Sequence, residues 1–104
     1  RDFTFVTDAV AATIAAGDQG GLGRAYNVGG GSRVSVNQLF ELIARIHGQA
    51  LEIRREPDQK GDMRDTFADT TRARADLGFS PKVSLEQGLE AEYRWLANTP
   101  ALVR

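Results

Sequence analysis

An α/β arrangement of short strands and about four helices is predicted for this chain on three observations. Helical apolar stripes with a 3.6-residue period run through residues 36–46 and 85–96. Short runs rich in β-branched, aromatic or alternating apolar residues lie at 1–6, 25–28, 51–56 and 66–68. Glycine and proline punctuate the intervals between them, so the two kinds of segment alternate along the chain.

Arg1-Asp2-Phe3-Thr4-Phe5-Val6 reads as a first strand. Thr7 or Asp8 then caps a helix in which Val10, Ala11, Ile14 and Ala15 form the apolar stripe, and Gly17 supplies the stop. Asp18 to Arg24 is a glycine-rich loop, and Ala25 to Val28 a short buried strand that opens into Gly29-Gly30-Gly31. Ser35 and Gln38 have the spacing of a capping box, in which each side chain satisfies a main-chain N–H at the helix start. Val36, Leu39, Phe40, Ile43 and Ile46 follow on one helical face, and Gly48 ends the helix.

Leu51, Ile53 and Arg55 alternate with Glu52, Arg54 and Glu56, which predicts a half-buried strand up to Pro57. Pro57 to Gly61 is a polar turn, Thr66 to Ala68 a short extended piece, and Asp69 or Thr70 caps a brief helix that ends at Leu77-Gly78. Phe79-Ser80-Pro81 turns the chain. Ser84 and Gln87 make a second capping box, ahead of Leu85, Leu89, Tyr93 and Leu96 on one face of a helix that fades near Asn98-Thr99-Pro100. The last four residues are expected to fray. A domain boundary is placed near Gly30 to Arg33, dividing the chain into residues 1–33 and 34–104.

Composition removes several function classes. Thirteen basic residues against fourteen acidic ones, mixed along the 104-residue chain, leave a formal charge of −1, so no field draws it to nucleic acid or an anionic membrane. With no cysteine and one histidine, thiolate and imidazole metal sites lack their ligands. Apolar runs fall short of the roughly 18 residues a membrane span needs, and Arg1-Asp2 opens the chain where a leader would be basic and apolar, so a cytoplasmic setting is expected. The abrupt opening on a strand reads as a cut from a longer chain.

Six blocks carry a resemblance: Arg-Asp-Phe-Thr-Phe-Val-Thr-Asp at 1–8, Tyr-Asn-Val-Gly-Gly-Gly at 26–31, Ser35 with Leu39, Gly-Asp-Met-Arg-Asp-Thr-Phe-Ala-Asp at 61–69, Leu-Gly-Phe-Ser-Pro at 77–81 and Leu-Glu-Gln-Gly-Leu at 85–89. In this order and spacing they resemble landmarks of the NAD-dependent epimerase/dehydratase family, the extended short-chain dehydrogenase/reductases. The Gly-Asp-x-x-x-Thr-x-Ala-Asp run and the block before it are most similar to bacterial UDP-glucose or UDP-glucuronate 4-epimerases.

The resemblance implies a complete enzyme with an amino-terminal Rossmann domain holding NAD and a small carboxy-terminal domain closing over a nucleotide sugar. This chain would be the carboxy-terminal, substrate-binding portion, with 1–33 associated with the Rossmann core and 34–104 as the substrate-binding domain. It has no Gly-x-x-Gly-x-x-Gly turn for a pyrophosphate, and Gly29-Gly30-Gly31 lacks that spacing. The family's Tyr-x-x-x-Lys pair is missing too, since Gly30 follows Tyr26 and Ala97 follows Tyr93 at that spacing. The chain alone is expected to be inactive and to bind no cofactor. The resemblance also implies a homodimeric parent, with a 4,6-dehydratase as the alternative activity and a non-enzymatic α/β interaction domain as the rival reading.

On the same resemblance Arg1 and Arg64 lie beside the diphosphate of a bound nucleotide sugar, and Asn27 can turn its amide to the sugar or to neighbouring main chain. The chemistry suits this use, because a guanidinium stays charged and offers a planar fork of donors to phosphate oxygens. The plain alternative for Arg64 is a surface ion pair with Asp62 or Asp65. Asp8 and Asp69 are read as helix caps, His47 as a cation at a helix end, Tyr26 and Trp95 as packed rings with one polar partner each, and Leu39, Phe40, Ile43, Leu89 and Leu96 as core.

Overall fold

The computed structural model describes residues 1–99. They form four helices: α1 at Val6–Gln19, α2 at Val36–His47, α3 at Thr71–Leu77 and α4 at Leu85–Ala97. There is no β-strand among the described residues, and the only β pairing is an isolated antiparallel bridge between Asp2 and Arg33. The α/β, Rossmann-type expectation is therefore corrected to an almost entirely helical fold.

The physical reason is that a strand is defined by its ladder. Residues 3–5, 25–28, 51–56 and 66–68 carry β-compatible side chains, but none of these segments lies in register beside another. At 51–56 the alternation does not bury a face: Leu51 is half-buried and the next five residues are exposed. Arg54 spends its guanidinium on Glu56, two residues on, at 2.7 Å, and Arg55 reaches Asn37 of α2 at 3.5 Å.

Helix limits follow local chemistry. Ser35 accepts the Gln38 N–H while Gln38 accepts the Ser35 N–H, and Gly48 takes the left-handed conformation at φ 79° that closes α2. Ser84 and Gln87 repeat the reciprocal pair at the start of α4. α3 stops at Leu77 on Gly78, also left-handed at φ 62°. Asp69 takes the capping role ahead of α3, accepting the Thr71 N–H at 3.0 Å and the Thr71 hydroxyl at 2.6 Å.

α1 departs from expectation at both ends. It begins at Val6 after Phe5, with no side-chain cap, and runs through Gly17 to Gln19. Asp8 lies inside its first turn, where a carboxylate is favoured by the helix dipole. That carboxylate is buried and accepts the Lys82 N–H at 3.0 Å and the Val83 N–H at 3.2 Å, so it joins α1 to the turn before α4.

The helices pair as α1 with α3 and α2 with α4. Ala12, Ala73, Leu77 and Phe79 are the buried apolar core, with Ala15, Ala16, Tyr26 and Val28 packed on it. Small alanines on α1 let α3 approach closely. The larger side chains of the expected stripe, Val10 and Ile14, point the other way at 51% and 61% exposed, and Val6, expected in a strand, is 64% exposed. The anticipated core of α2 and α4 is only half closed: Leu39, Phe40, Ile43 and Leu89 are partly buried and Leu96 is exposed. His47 joins the two helices, its Nδ1 lying 3.1 Å from the Tyr93 hydroxyl with the rings edge to face. Trp95, anticipated as a packed ring, is 56% exposed. No helix of the described residues is long and apolar enough to cross a membrane.

Candidate functional site

The first residues of the chain lie across residues 29–34. The Arg1 main-chain nitrogen donates to the Val34 carbonyl at 2.7 Å, and the Val34 N–H donates back to the Arg1 carbonyl at 3.0 Å. Two glycines make this crossing possible. A Cβ on Gly30 would sit 1.8 Å from the Phe3 carbonyl oxygen, and one on Gly29 would sit 2.5 Å from Asp2 Oδ2 and 2.8 Å from Ala68 Cβ. Asp2 ties in a third segment by accepting the Ala68 N–H on Oδ2 at 3.3 Å, while its Oδ1 is buried with no hydrogen bond among the described residues.

The loop that carries Arg64 is held against this crossing on both sides. Gly61 turns the chain at φ 91°, and the Asp62 N–H closes on the Gln59 carbonyl at 3.2 Å. Before Arg64, Asp62 Oδ1 lies 3.7 Å from Arg1 Nη2. After it, Asp65 receives both prongs of Arg33: Nε donates to Oδ1 at 3.0 Å, and Nη2 donates to Oδ2. The Arg33 guanidinium carbon also lies 5.9 Å from the centre of the Phe67 ring, within cation–π range. Arg64 is exposed and has no hydrogen bond or ion pair among the described residues. The two aspartates beside it are taken by other arginines. Arg1 thus meets the loop that carries Arg64 through Asp62, two residues before it.

Asn27 lies at a second place. It is exposed and lines an open cavity with Asp69, Thr71, Arg72 and Asp76 at α3. The polar groups here hold the 21–26 segment to that helix. The Tyr26 hydroxyl donates to Asp76 Oδ2 at 2.9 Å and accepts the Gly21 N–H at 2.8 Å, while Arg24 donates to the same carboxylate at 2.8 Å. Arg72 donates to the Ala25 carbonyl at 3.1 Å. The Tyr26 hydroxyl, then Arg24, hold the Asp76 carboxyl below its ordinary value. The Thr71 hydroxyl, then the Thr71 N–H, do the same for Asp69.

Arg33 and Asp2 were not singled out from sequence. Asp2 stands in the expected first strand and Arg33 at the expected domain boundary, and their roles arise only where the chain start meets residues 29–34. The space above Gly29 and Gly30 is filled by the chain's own Phe3 carbonyl and Asp2 carboxylate, so these glycines do not cradle a dinucleotide pyrophosphate.

No family model matches the chain. It is 38% identical over 98 residues to the UDP-glucose 4-epimerase of Mycolicibacterium smegmatis, covering 94% of this chain and 31% of that protein. Among solved structures it superposes on the UDP-glucose 4-epimerase of Thermotoga maritima, determined with UDP-glucose, at a TM-score of 0.89 and 39% identity over 96% of this chain and 32% of that one. The chain belongs to the NAD-dependent epimerase/dehydratase superfamily. Other members of the superfamily bracket it. The UDP-glucuronic acid 4-epimerase of Bacillus cereus, in complex with UDP-glucuronic acid and NAD, matches at a TM-score of 0.89 and 32% identity over 93% of this chain and 32% of that one. The dTDP-glucose 4,6-dehydratase of Streptomyces griseus is 35% identical over 96 residues, covering 91% of this chain and 29% of that protein. The chain spans about a third of the length of the curated relatives it matches.

Proposed function

We propose that this chain is the carboxy-terminal, nucleotide-sugar-binding portion of an NAD-dependent 4-epimerase that acts on a UDP-linked sugar, with Arg1 and Arg64 on the diphosphate. The observation that carries the reading is the junction of the two arginine segments, where Arg1 Nη2 stands 3.7 Å from Asp62, two residues before Arg64. A diphosphate spreads negative charge over several oxygens, and two guanidiniums from separate segments hold it from two directions. The likeness to epimerases solved with UDP-glucose and with UDP-glucuronic acid supports the choice of substrate class.

Asn27 then serves as an amide donor and acceptor at the edge of the same portion, facing the α3 cavity. In the complete protein, residues 34–104 form the substrate-binding domain and residues 1–33 join it to the part that holds NAD. The tyrosine and lysine of proton transfer lie in that part too, so the chain alone is inactive. The complete enzyme is a cytoplasmic homodimer. A 4,6-dehydratase is the second reading, supported by the Streptomyces griseus relative. The two activities share an opening oxidation at C4, and the residues that part them lie outside this chain.

The test is calorimetric titration of UDP-glucose into the wild-type chain and into Arg1→Lys and Arg64→Lys. Each substitution keeps the charge and loses the fork, and each should weaken binding roughly 10-fold. Unchanged affinity in both variants would remove the two arginines from the site.

A further inference from the structure

We infer that Arg33 is a positioning residue of the diphosphate site: its grip on Asp65 and its place over Phe67 fix the 61–67 loop, and so fix where Arg64 is presented. The inference rests on the proposed reading of Arg64 as a ligand of the diphosphate.

Three observations converge on it. Arg33 is the partner of Asp2 in the antiparallel bridge, so its backbone belongs to the crossing that also carries Arg1. Its guanidinium is committed to the loop, by Nε to Asp65 Oδ1 at 3.0 Å, by Nη2 to Asp65 Oδ2, and by its carbon 5.9 Å from the centre of the Phe67 ring. Arg64 is the immediate neighbour of the gripped aspartate and has no hydrogen bond or ion pair of its own among the described residues. A forked pair sets direction as well as distance, which a lysine at residue 33 cannot do. Among the described residues the side-chain hold of the crossing on the opposite flank is the longer Arg1 contact to Asp62 at 3.7 Å, so the forked pair of Arg33 is the tighter of the two beside Arg64. Were Arg33 itself a ligand, Asp65 would compete with the phosphate for the same donors. As a positioning residue it keeps Asp65 throughout.

Four forms of the chain decide this: wild type, Arg33→Ala, Arg33→Lys, and the exchange Arg33→Asp with Asp65→Arg. Amide heteronuclear relaxation of residues 62–66 is recorded without ligand, and affinity is measured with UDP-glucose as the probe. In wild type the loop amides should relax like those of α2. Arg33→Ala should loosen them and weaken UDP-glucose roughly 10-fold, Arg33→Lys should fall between, and the exchange should recover both order and affinity. Loop order unchanged in Arg33→Ala overturns the inference. So does loop order recovered in the exchange without recovery of affinity, because Arg33 would then be touching the anion itself. Binding by wild type that every variant retains overturns the inference alone, whereas no binding by wild type overturns the reading of Arg64 on which it rests.

Discussion

Asp8 and Val83 are joined across most of the length of the chain, the buried carboxylate in the first turn of α1 accepting the Val83 N–H at 3.2 Å and that of Lys82 at 3.0 Å. This contact fixes the turn that leads into α4, and through α4 the partner of α2. With so small an apolar core, a buried carboxylate with two main-chain donors becomes a principal tertiary restraint. Asp8→Ala leaves both N–H groups without their acceptor and should cost about 2–3 kcal/mol of unfolding free energy. Asp8→Asn keeps one acceptor oxygen and should cost less. Urea unfolding followed by circular dichroism gives both values, and equal stability of Asp8→Ala and wild type would contradict the role.

Glycines 17 and 30 should respond to alanine in opposite directions. At Gly30 the new Cβ would fall 1.8 Å from the Phe3 carbonyl oxygen, so the crossing must open, at a cost of about 1–3 kcal/mol. Gly17 is inside α1 with nothing within 4 Å of an added Cβ. Gly17→Ala should therefore stabilise the chain by roughly 0.5–1 kcal/mol through the helix preference alone. Thermal unfolding of the two variants reads the signs directly.

Asp76 should make stability depend on acid pH. The Tyr26 hydroxyl and Arg24 lower its carboxyl in the folded chain below the ordinary 3.8. A carboxyl depressed by folding contributes stability that is fully present above its unfolded value and is lost as pH falls through its folded one. The contribution should therefore hold at neutral pH and decline below about 3.8. Asp76→Asn and Tyr26→Phe should both flatten that part of the stability profile, and an unaltered slope in Asp76→Asn would place the acid sensitivity at other groups.

What could be read from the sequence was what neighbouring residues decide among themselves. Ser35 with Gln38, Ser84 with Gln87, and the stops at Gly48 and Gly78 are local chemistry, and all act as their spacing predicts. The strands were misread because a strand needs a partner segment that a one-dimensional pattern cannot supply. Val10 and Ile14 share a helical stripe with Ala11 and Ala15, which points all four inward, yet α3 packs on Ala12, Ala15 and Ala16. For the candidate site, motif resemblance pointed to Arg1 and Arg64, and the structure joins their segments through Asp62. Arg33 and Asp2 were hidden because their importance comes from a chain crossing at residues far apart in sequence. The triple glycine is legible as a break after residues 25–28 without the spacing of a cofactor turn, and what approaches Gly29 and Gly30 is Asp2 and Phe3 of the same chain.

The most direct test of the proposed diphosphate site is an amide proton–nitrogen correlation spectrum of the chain during titration with UDP-glucose. The account predicts saturable shifts at Asp2, Arg33 and Arg64, the segments that meet at the crossing, with α2 unmoved. A folded spectrum in which UDP-glucose leaves these three amides in place would contradict it.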